Sequence, residues 1–235
     1  MPAAPLVAVV GGGIAGLSAA LELERAGAVP IVLEAAGQVG GKLRISEVGG
    51  VAVDEGADSM LRRVPYGVDL ATAAGFELVS PAVGEASLWT RGRLRPLPTG
   101  TVMGIPADLA ALALSEVLSA TGLARVPFDL LQPGSPVLQD ISVGELVARR
   151  LGREVVQRLV DPLLGGVYAG RADRLSVQAT LPQLWPHLAS HRSLIAAARA
   201  ARGTPAPGPV FAGVPGGLGR IGAERSMIFV IATAR

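Results

Sequence analysis

The segment LVAVVGGGIAGLSAALELERAGAVPIVLE, residues 6–34, constrains the fold of this chain more than any other segment. A short apolar run leads into a glycine cluster, a helix-like stretch follows, and a second apolar run ends in Glu34. Gly11, Gly13 and Gly16 match the spacing G-x-G-x-x-G. In that motif the first glycine permits a tight turn, the second a close approach to a pyrophosphate, and the third close packing of the helix on the strand.

Glu34 lies 18 residues beyond Gly16, at the end of the second apolar run. An acid at this distance accepts hydrogen bonds from a ribose hydroxyl, while the amides at the start of the helix face the phosphates. A glycine motif alone is weak evidence, since glycine-rich loops are common. Strand, helix and acid in this order favour a dinucleotide-binding βαβ unit over a purely structural glycine loop.

Composition excludes several classes of site. The 235 residues include 21 Lys and Arg against 19 Asp and Glu, and Lys42 is the sole lysine. The arginines are spread along the chain, so a nucleic-acid-binding surface is not indicated. The absence of cysteine excludes disulfides, thiolate nucleophiles and cysteine metal sites. His187 and His191 have no carboxylate pattern around them, so we expect no metal site.

The start of the chain and its hydropathy bear on localisation. The first apolar run begins at Leu6 with no basic stretch before it, which predicts a cytoplasmic protein without a signal peptide. A transmembrane helix needs about 18 consecutive apolar residues. The best candidate, Leu109–Ala124, is interrupted by Glu116 and Gly122. The sequence therefore predicts no membrane span, while peripheral membrane contact and the oligomeric state stay open.

Periodicity, caps and turn residues predict the secondary structure. We expect strands at Leu6–Val10 and Ile31–Glu34, a hairpin at Ser87–Leu94, and helices at Ile14–Ala26, Pro65–Ala74, Ala107–Ser119, Ser142–Arg150, Arg153–Leu164 and Ser193–Arg202. Pro96–Pro106 contains three prolines and two glycines, so it is expected to be irregular. Asp161-Pro162 should kink its helix, and Gly165-Gly166 should end it.

A second glycine pair, Gly40-Gly41, follows Glu34 by six residues and directly precedes Lys42. It suits a chain that passes close over a cofactor. A P-loop is excluded, because Ala36 stands where its first glycine is required and Leu43 where Ser or Thr would hold magnesium.

Longer segments point to a family. VVGGGIAGLSAALEL, VLEAAGQVGGKL and VDEGADSML resemble the FAD-binding start of the flavin amine-oxidase superfamily. PLPTGTVMGIP, SVGELVARRLGREVVQRLVDPLLGGVYAGRADRLS and HRSL are similar to the oxygen-dependent protoporphyrinogen and coproporphyrinogen oxidases of haem synthesis. The resemblance runs from residue 6 to residue 224 and favours the bacterial coproporphyrinogen III oxidase branch.

This resemblance implies an enzyme in which FAD takes hydride equivalents from a porphyrinogen and O2 reoxidises the flavin, releasing hydrogen peroxide. The protein then mainly binds and orients two ring systems, so no catalytic residue is nominated. Two alternatives stay open: another enzyme of the superfamily, such as an amine oxidase or carotenoid desaturase, and a non-catalytic fragment. PLPTGTVMGIP and LVDPLLGGVYAG favour the porphyrin branch.

The resemblance also assigns cofactor contacts: pyrophosphate to the first glycine loop, adenosine ribose to Glu34, phosphates and ribityl chain to the second glycine pair, and the flavin ring to residues 56–59. The implied cofactor-binding residues are Gly11, Gly12, Gly13, Ile14, Ala15, Gly16, Glu34, Ala35, Gly40, Gly41, Lys42, Gly56, Ala57, Asp58 and Ser59. A surface lysine is the alternative for Lys42, and a plain turn for Asp58 and Ser59. Candidates for the substrate propionates, by residue type alone, are Arg62, Arg91, Arg93, Arg95 and Arg171.

Two departures from the family pattern matter. Gln38 stands where the family usually has arginine, which removes a charge near the pyrophosphate. Phe211–Glu224 still resembles the segment that returns to the FAD domain, whereas Arg225–Arg235 does not. We therefore expect a chain that lacks the C-terminal half of the family fold, binds FAD weakly, and has low stability and little oxidase activity.

The expected fold class is α/β: a Rossmann-like, FAD-binding βαβ domain with a mainly helical substrate domain. We expect residues 1–95 to belong to the FAD-binding domain and residues 96–203 to the substrate domain. Residues 204–235 are expected to form a linker and a return toward the FAD domain, divergent from residue 225.

Overall fold

The computed structural model describes residues 3–62, 64–82, 86–133, 139–203, 208–225 and 230–233. The chain divides into two compact units: Met1–Gly84 together with Ala206–Arg235, and Glu85–Pro205. Each unit has hydrophobic clusters of its own.

The first unit is built on a three-stranded parallel sheet, in which Val29–Glu34 lies between Leu6–Val10 and Val230–Thr233. Its strands are β1 (Leu6–Val10), β2 (Val29–Glu34), β3 (Ile45–Val48), β4 (Val51–Asp54), β5 (Met60–Leu61), β10 (Phe211–Ala212) and β11 (Val230–Thr233). Its helices are α1 (Ile14–Arg25), α2 (Pro65–Ala73) and α11 (Gly219–Arg225). Two antiparallel pairs, β3 with β4 and β5 with β10, complete the unit.

Helix α1 crosses between two parallel strands, as the predicted βαβ unit requires. Leu17, Ala20 and Leu21 are buried on one side of α1, at the spacing of a helical face, and cluster with Val32 of β2. Gly27 follows the helix with φ +84°, a left-handed conformation that suits glycine after a helix end. The predicted strand–helix–strand order over residues 6–34 is confirmed.

The sheet carries two features that the sequence did not predict. Residues 225–235, which do not resemble the family, supply β11, which pairs with β2 in parallel from Val230↔Ile31 to Thr233↔Glu34. The sheet face opposite α1 is open among the described residues, since Leu6 is 67% exposed and Val10 85% exposed. Parallel sheets are usually covered on both faces, so this apolar face is unusual.

The second unit is mainly helical. Its strands form two antiparallel hairpins, β6 (Ser87–Thr90) with β7 (Arg93–Pro96) and β8 (Thr101–Val102) with β9 (Ile105–Pro106). Its helices are α3 (Leu109–Ser115), α4 (Ala120–Arg125), α5 (Val143–Leu151), α6 (Arg153–Val155), α7 (Asp161–Tyr168), α8 (Val177–Thr180), α9 (Trp185–Ser190) and α10 (Leu194–Arg202). Val126–Leu130 and Ala172–Arg174 are 3₁₀ turns, and Val156–Val160 is a π-helical turn.

One large apolar cluster holds this unit together, with Leu112, Leu151, Leu159, Leu164, Leu181, Leu184 and Ile195 fully buried. A buried ion pair accompanies it: Asp129 is completely buried and lies 2.5 Å from Nε of Arg150. The second carboxylate oxygen of Asp129 accepts the amide of Ile195 at 2.9 Å, at the start of α10. Within the described ranges, every helix is too short or too polar to cross a bilayer.

Three predictions for this unit are wrong. Pro96–Pro106 contains a hairpin, because Met103-Gly104 forms its turn with positive φ and Pro106 lies at a strand end, where its missing amide is tolerated. Helix α3 ends at Ser115, because Glu116 adopts the left-handed conformation. Gly165-Gly166 does not end α7, which continues to Tyr168; glycine costs a helix only about 1 kcal/mol.

Helices α5 and α10 match the prediction, and Ser142 and Ser193 cap them by accepting amide hydrogen bonds from Glu145 and Ala196. The π-helical turn precedes Asp161-Pro162, where a kink was predicted. Of the linker and return predicted for residues 204–235, residues 204–207, 226–229 and 234–235 lie outside the described residues.

Candidate functional site

The first glycine loop links β1 to α1, and its geometry admits only glycine at two positions. Gly11 has φ +99°, and a Cβ on Gly16 would lie 1.9 Å from the carbonyl oxygen of Gly11. Helix α1 begins directly after Gly13, without a side-chain capping bond and without an acidic residue in its first turn. Its N-terminal amides are therefore available to an anion.

Glu34 ties the end of β2 to this loop. One carboxylate oxygen accepts the Gly12 amide at 2.7 Å, and the other accepts the Ala36 amide at 2.7 Å. The hydrogen bonds from Ala36 and Gly12 hold the pKa of Glu34 below its usual value, so the side chain is ionised at neutral pH. Each oxygen keeps a lone pair that a ribose hydroxyl can use.

The second glycine pair meets the first loop backbone to backbone. The Gly40 amide donates to the Gly12 carbonyl at 2.8 Å, and Gly13 and Gly40 form a parallel bridge. A Cβ on Gly41 would lie 3.0 Å from the Cα of Gly13. Larger residues would separate the two segments.

Residues 42 and 56 extend this arrangement. The side chain of Lys42 is exposed. A Cβ on Gly56 would lie 2.7 Å from the backbone carbonyl oxygen of Lys42, so the two segments pass close to each other. The structure thus brings together four predicted pieces: the first loop, Glu34, the Gly40–Lys42 segment and Gly56.

The other predicted cofactor residues are exposed or form local bonds. Ile14 and Ala15 are exposed in the first turn of α1, and Ala35 and Ala57 are exposed in loops. The Ser59 hydroxyl donates to the Asp58 carboxylate at 2.9 Å, which is the local bond that a plain turn would also make. Their contact with a cofactor stays a prediction.

Asp54 is a positioning residue that the sequence reasoning missed. Its carboxylate accepts the amides of Leu218 and Gly219 at 2.9 Å each, at the start of α11. A Cβ on Gly222 of this helix would lie 2.7 Å from the Cα of Gly40. The cap therefore fixes a helix that packs directly on the second glycine pair. The glycines of the segment PGGLGRIG are the feature of the sequence that could have indicated this close packing.

A cavity of about 390 Å³ opens beside Glu34, and its lining includes Glu34, Gln38, Leu43, Arg44, Gly219 and Arg220. Nε of Arg44 donates to the Gly41 carbonyl at 3.1 Å. Arg44, which the sequence reasoning did not single out, lines the same cavity as the neutral Gln38 and supplies a positive charge there.

The arrangement fits a dinucleotide cofactor such as FAD. Space beside Gly11 is open to 4 Å, and a Cβ on Gly13 would meet only the Cα of Gly41, at 3.9 Å. Uncapped amides, an ionised acid and open backbone are what a pyrophosphate and a ribose require. Elsewhere in the first unit, Arg62 donates to the Phe211 carbonyl at 3.4 Å and to the Ser80 hydroxyl at 3.2 Å.

The comparisons with known proteins agree with this geometry. The profile of the family described as flavin containing amine oxidoreductase matches residues 14–223. Coproporphyrinogen III oxidase of Bacillus subtilis is 39% identical over 197 residues, covering 80% of this chain and 42% of that protein. The Mycobacterium bovis protein of the same name is 36% identical over 217 residues, covering 89% and 47%.

A solved structure from Exiguobacterium sp. 255-15, assigned as a protoporphyrinogen oxidase, matches with a TM-score of 0.82 and 33% identity, covering 99% of this chain and 53% of its own. The chain thus spans about half the length of the relatives it matches. The predicted α/β fold and the predicted FAD-dependent oxidoreductase class are confirmed at the level of the family.

Proposed function

We propose that this chain, which belongs to the flavin-containing amine oxidoreductase family, carries the FAD-binding part of a porphyrinogen oxidase of haem synthesis. The reaction is the oxidation of coproporphyrinogen III to coproporphyrin III, or of protoporphyrinogen IX to protoporphyrin IX. O2 is the acceptor and hydrogen peroxide is released. Identity of 36–39% with coproporphyrinogen III oxidases across most of this chain carries the proposal.

The residues of the first unit have defined parts in this proposal. Gly11–Gly16 and the amides of α1 hold the pyrophosphate, and Glu34 with Ala35 holds the adenosine ribose. Gly40, Gly41 and Lys42 follow the phosphates and the ribityl chain, and Gly56–Ser59 approaches the flavin ring. When bound, the flavin accepts hydride equivalents from the porphyrinogen. The side chains of this chain bind and orient the cofactor.

In this proposal residues 1–95 form the FAD domain, and residues 96–203 form the substrate domain that supplies the porphyrinogen contacts. Residues 204–235 lead back toward the FAD domain. Porphyrinogens carry propionate groups, which arginine recognises in a bidentate manner.

Titration of the whole chain with FAD, followed by quenching of flavin fluorescence, tests cofactor binding. Glu34→Gln should weaken binding, because the amide keeps the shape but loses the charge that orders the Gly12 and Ala36 amides. Glu24→Gln, a change at an exposed position of α1, is the matched control and should leave the affinity unchanged. Equal affinities for the wild type and Glu34→Gln would contradict the assigned role.

Porphyrin fluorescence and peroxide release, measured with both porphyrinogens under air, test the activity. Faster oxidation of coproporphyrinogen III than of protoporphyrinogen IX, above the rate with free FAD, supports the first substrate. Bound FAD with turnover of an amine and of neither porphyrinogen would instead assign the chain to another branch of the family. FAD binding without any turnover would make it a cofactor-binding fragment.

A further inference from the structure

An arginine-rich cavity lies in the second unit, between the β6–β7 hairpin and the segment that joins α3 to α4. It has a volume of about 420 Å³, and its lining includes Arg91, Arg93, Arg95, Glu116 and Ser119. Arg93 and Arg95 are two residues apart on β7, so their side chains leave the same face of the strand. Arg91 lies in the hairpin turn, with φ +53°.

A single carboxylate lies among these guanidinium groups. One oxygen of Glu116 accepts hydrogen bonds from both Arg93 and Arg95. Arg91 donates to the carbonyl oxygens of Glu116 and Leu118 at 3.2 and 2.7 Å. The hydrogen bond from Arg95, with the nearby charge of Arg93, holds the pKa of Glu116 below its usual value. Glu116 is therefore an ionised carboxylate within reach of two guanidinium groups.

The cavity lining still has an excess of positive charge, with three guanidinium groups against one carboxylate. Glu154, the other acid that bonds to this segment, accepts the amide and hydroxyl of Ser119 and is already paired with Arg158 at 3.0 Å. Its ion pair is therefore with a cation outside the cavity lining, although the charge of Arg91 also acts on Glu154.

Arg95 is the most enclosed of the three arginines. Its side chain is 8% exposed, and its buried Nε has no hydrogen-bond partner within the described part of the chain. A buried donor without an acceptor is unfavourable. An anion that enters beside Glu116 would supply the missing negative charge.

We propose that this cavity is a binding site for a phosphate dianion, held by Arg91, Arg93 and Arg95. Phosphate matches the planar fork of arginine and presents several acceptor oxygens from one centre. Its two negative charges equal the excess of the lining, and the cavity lies within the size range of small-ligand sites, about 300–1,000 Å³. The site uses residues of the second unit alone, so it does not rest on FAD binding. It assigns to phosphate three arginines that residue type alone had made candidates for the substrate propionates.

Calorimetric titration of the whole chain with inorganic phosphate at low ionic strength tests this site. Arg93→Gln should lower the association constant about tenfold, the effect expected from losing one charge-assisted contact. Glu116→Gln should raise it, because the competing carboxylate is removed. Arg149→Gln is the matched control: Arg149 is 67% exposed and paired with Glu145, much as Arg93 is 62% exposed and paired with Glu116. It should leave the constant unchanged.

Vesicles that contain phosphatidic acid distinguish the two sources of the group. Binding of free phosphate assigns the site to a soluble ligand, whereas binding of vesicles alone assigns it to a lipid headgroup. Failure of both probes overturns the proposal, and so does equal weakening by Arg93→Gln and Arg149→Gln. Weaker binding by Glu116→Gln would also overturn it. Because that variant is expected to bind more tightly, partial unfolding cannot imitate the expected result.

Discussion

In the first unit the two glycine segments meet through the backbone, whereas in the second unit a buried ion pair between side chains joins distant segments. Around the glycine loops, contacts such as Gly40 to Gly12 connect amides with carbonyls, and missing side chains make the close approach possible. The second unit has a large apolar cluster, and the ion pair between Asp129 and Arg150 joins separate segments of that unit. The backbone joint leaves open space for a ligand beside Gly11 and Gly13, whereas Asp129 in the side-chain joint is completely buried.

The contrast extends to burial. Among the described residues, the α1 side of the parallel sheet packs a small buried cluster of Leu17, Ala20, Leu21 and Val32, while the opposite face exposes Leu6 and Val10. Apolar burial supplies about 25 cal/mol per Å², so the second unit has much the larger source of stability. The region with the stronger sequence motif is therefore the one with the smaller core.

Asp129→Ala should have the largest effect, because it leaves Arg150 and the Ile195 amide without their buried acceptor. Removing one partner of a buried ion pair typically costs about 3–5 kcal/mol. Urea denaturation measures the loss, with Asp69→Ala, an exposed position on α2, as control. A loss of unfolding free energy smaller than that from removing an exposed ion pair would mean that the second unit does not depend on the pair of Asp129 and Arg150.

Gly16→Ala should come next and tests the backbone joint. Its Cβ would lie 1.9 Å from the Gly11 carbonyl, so α1 must move away from β1. Such overpacking costs about 1–3 kcal/mol, and the displaced helix should bind FAD more weakly. Gly166→Ala in α7 is the matched helical control, because it meets nothing within 4 Å. Similar unfolding free energies for the two variants would remove the distinction between the units.

Asp54→Ala is the counterpart of Asp129→Ala in the first unit, and we expect a smaller effect. It removes a cap from two amides at the start of α11, which costs about 1 kcal/mol when solvent can replace the lost bonds. Urea denaturation again gives the value, and exposed Glu55→Ala is the control. A loss as large as that for Asp129 would show that the first unit also relies on a side-chain joint.

Local pattern explains which elements could be predicted. The bounds of β1 and the start of α1 follow from an apolar run and from glycines within a few residues of one another. The cap of α11 by Asp54 joins positions 164 residues apart, and nothing in the spacing of the sequence indicates such a pair. Similarly, β11 comes from a segment without family resemblance, so no sequence motif indicated that it would pair with β2.

The candidate site divides in the same way. The two glycine segments and Glu34 were found because motif spacing marks them. Arg44 was not, because its role depends on a cavity that several separate segments enclose. The hairpin within Pro96–Pro106 was missed because prolines at strand ends resemble prolines that break structure.

The pH dependence of stability should give the smallest effect and tests how firmly Glu34 holds the glycine loop. Hydrogen bonds from Ala36 and Gly12 lower its pKa in the folded state below the usual value of 4.5. A carboxylate with a depressed folded-state pKa stabilises the fold above the unfolded-state value, and this contribution disappears as the pH falls through the folded-state value. The free energy of unfolding of the wild type should therefore exceed that of Glu34→Gln near neutral pH.

That difference should shrink as the pH falls below 4.5, where the carboxylate becomes protonated and donates or accepts much as the amide does. Urea denaturation of both proteins at neutral and at acidic pH measures the difference directly. A difference that stays constant across this range would mean that Glu34 contributes through its shape and not through its charge. The two backbone bonds at 2.7 Å would then be incidental to the loop, and the joint between the glycine segments would rest on the backbone alone.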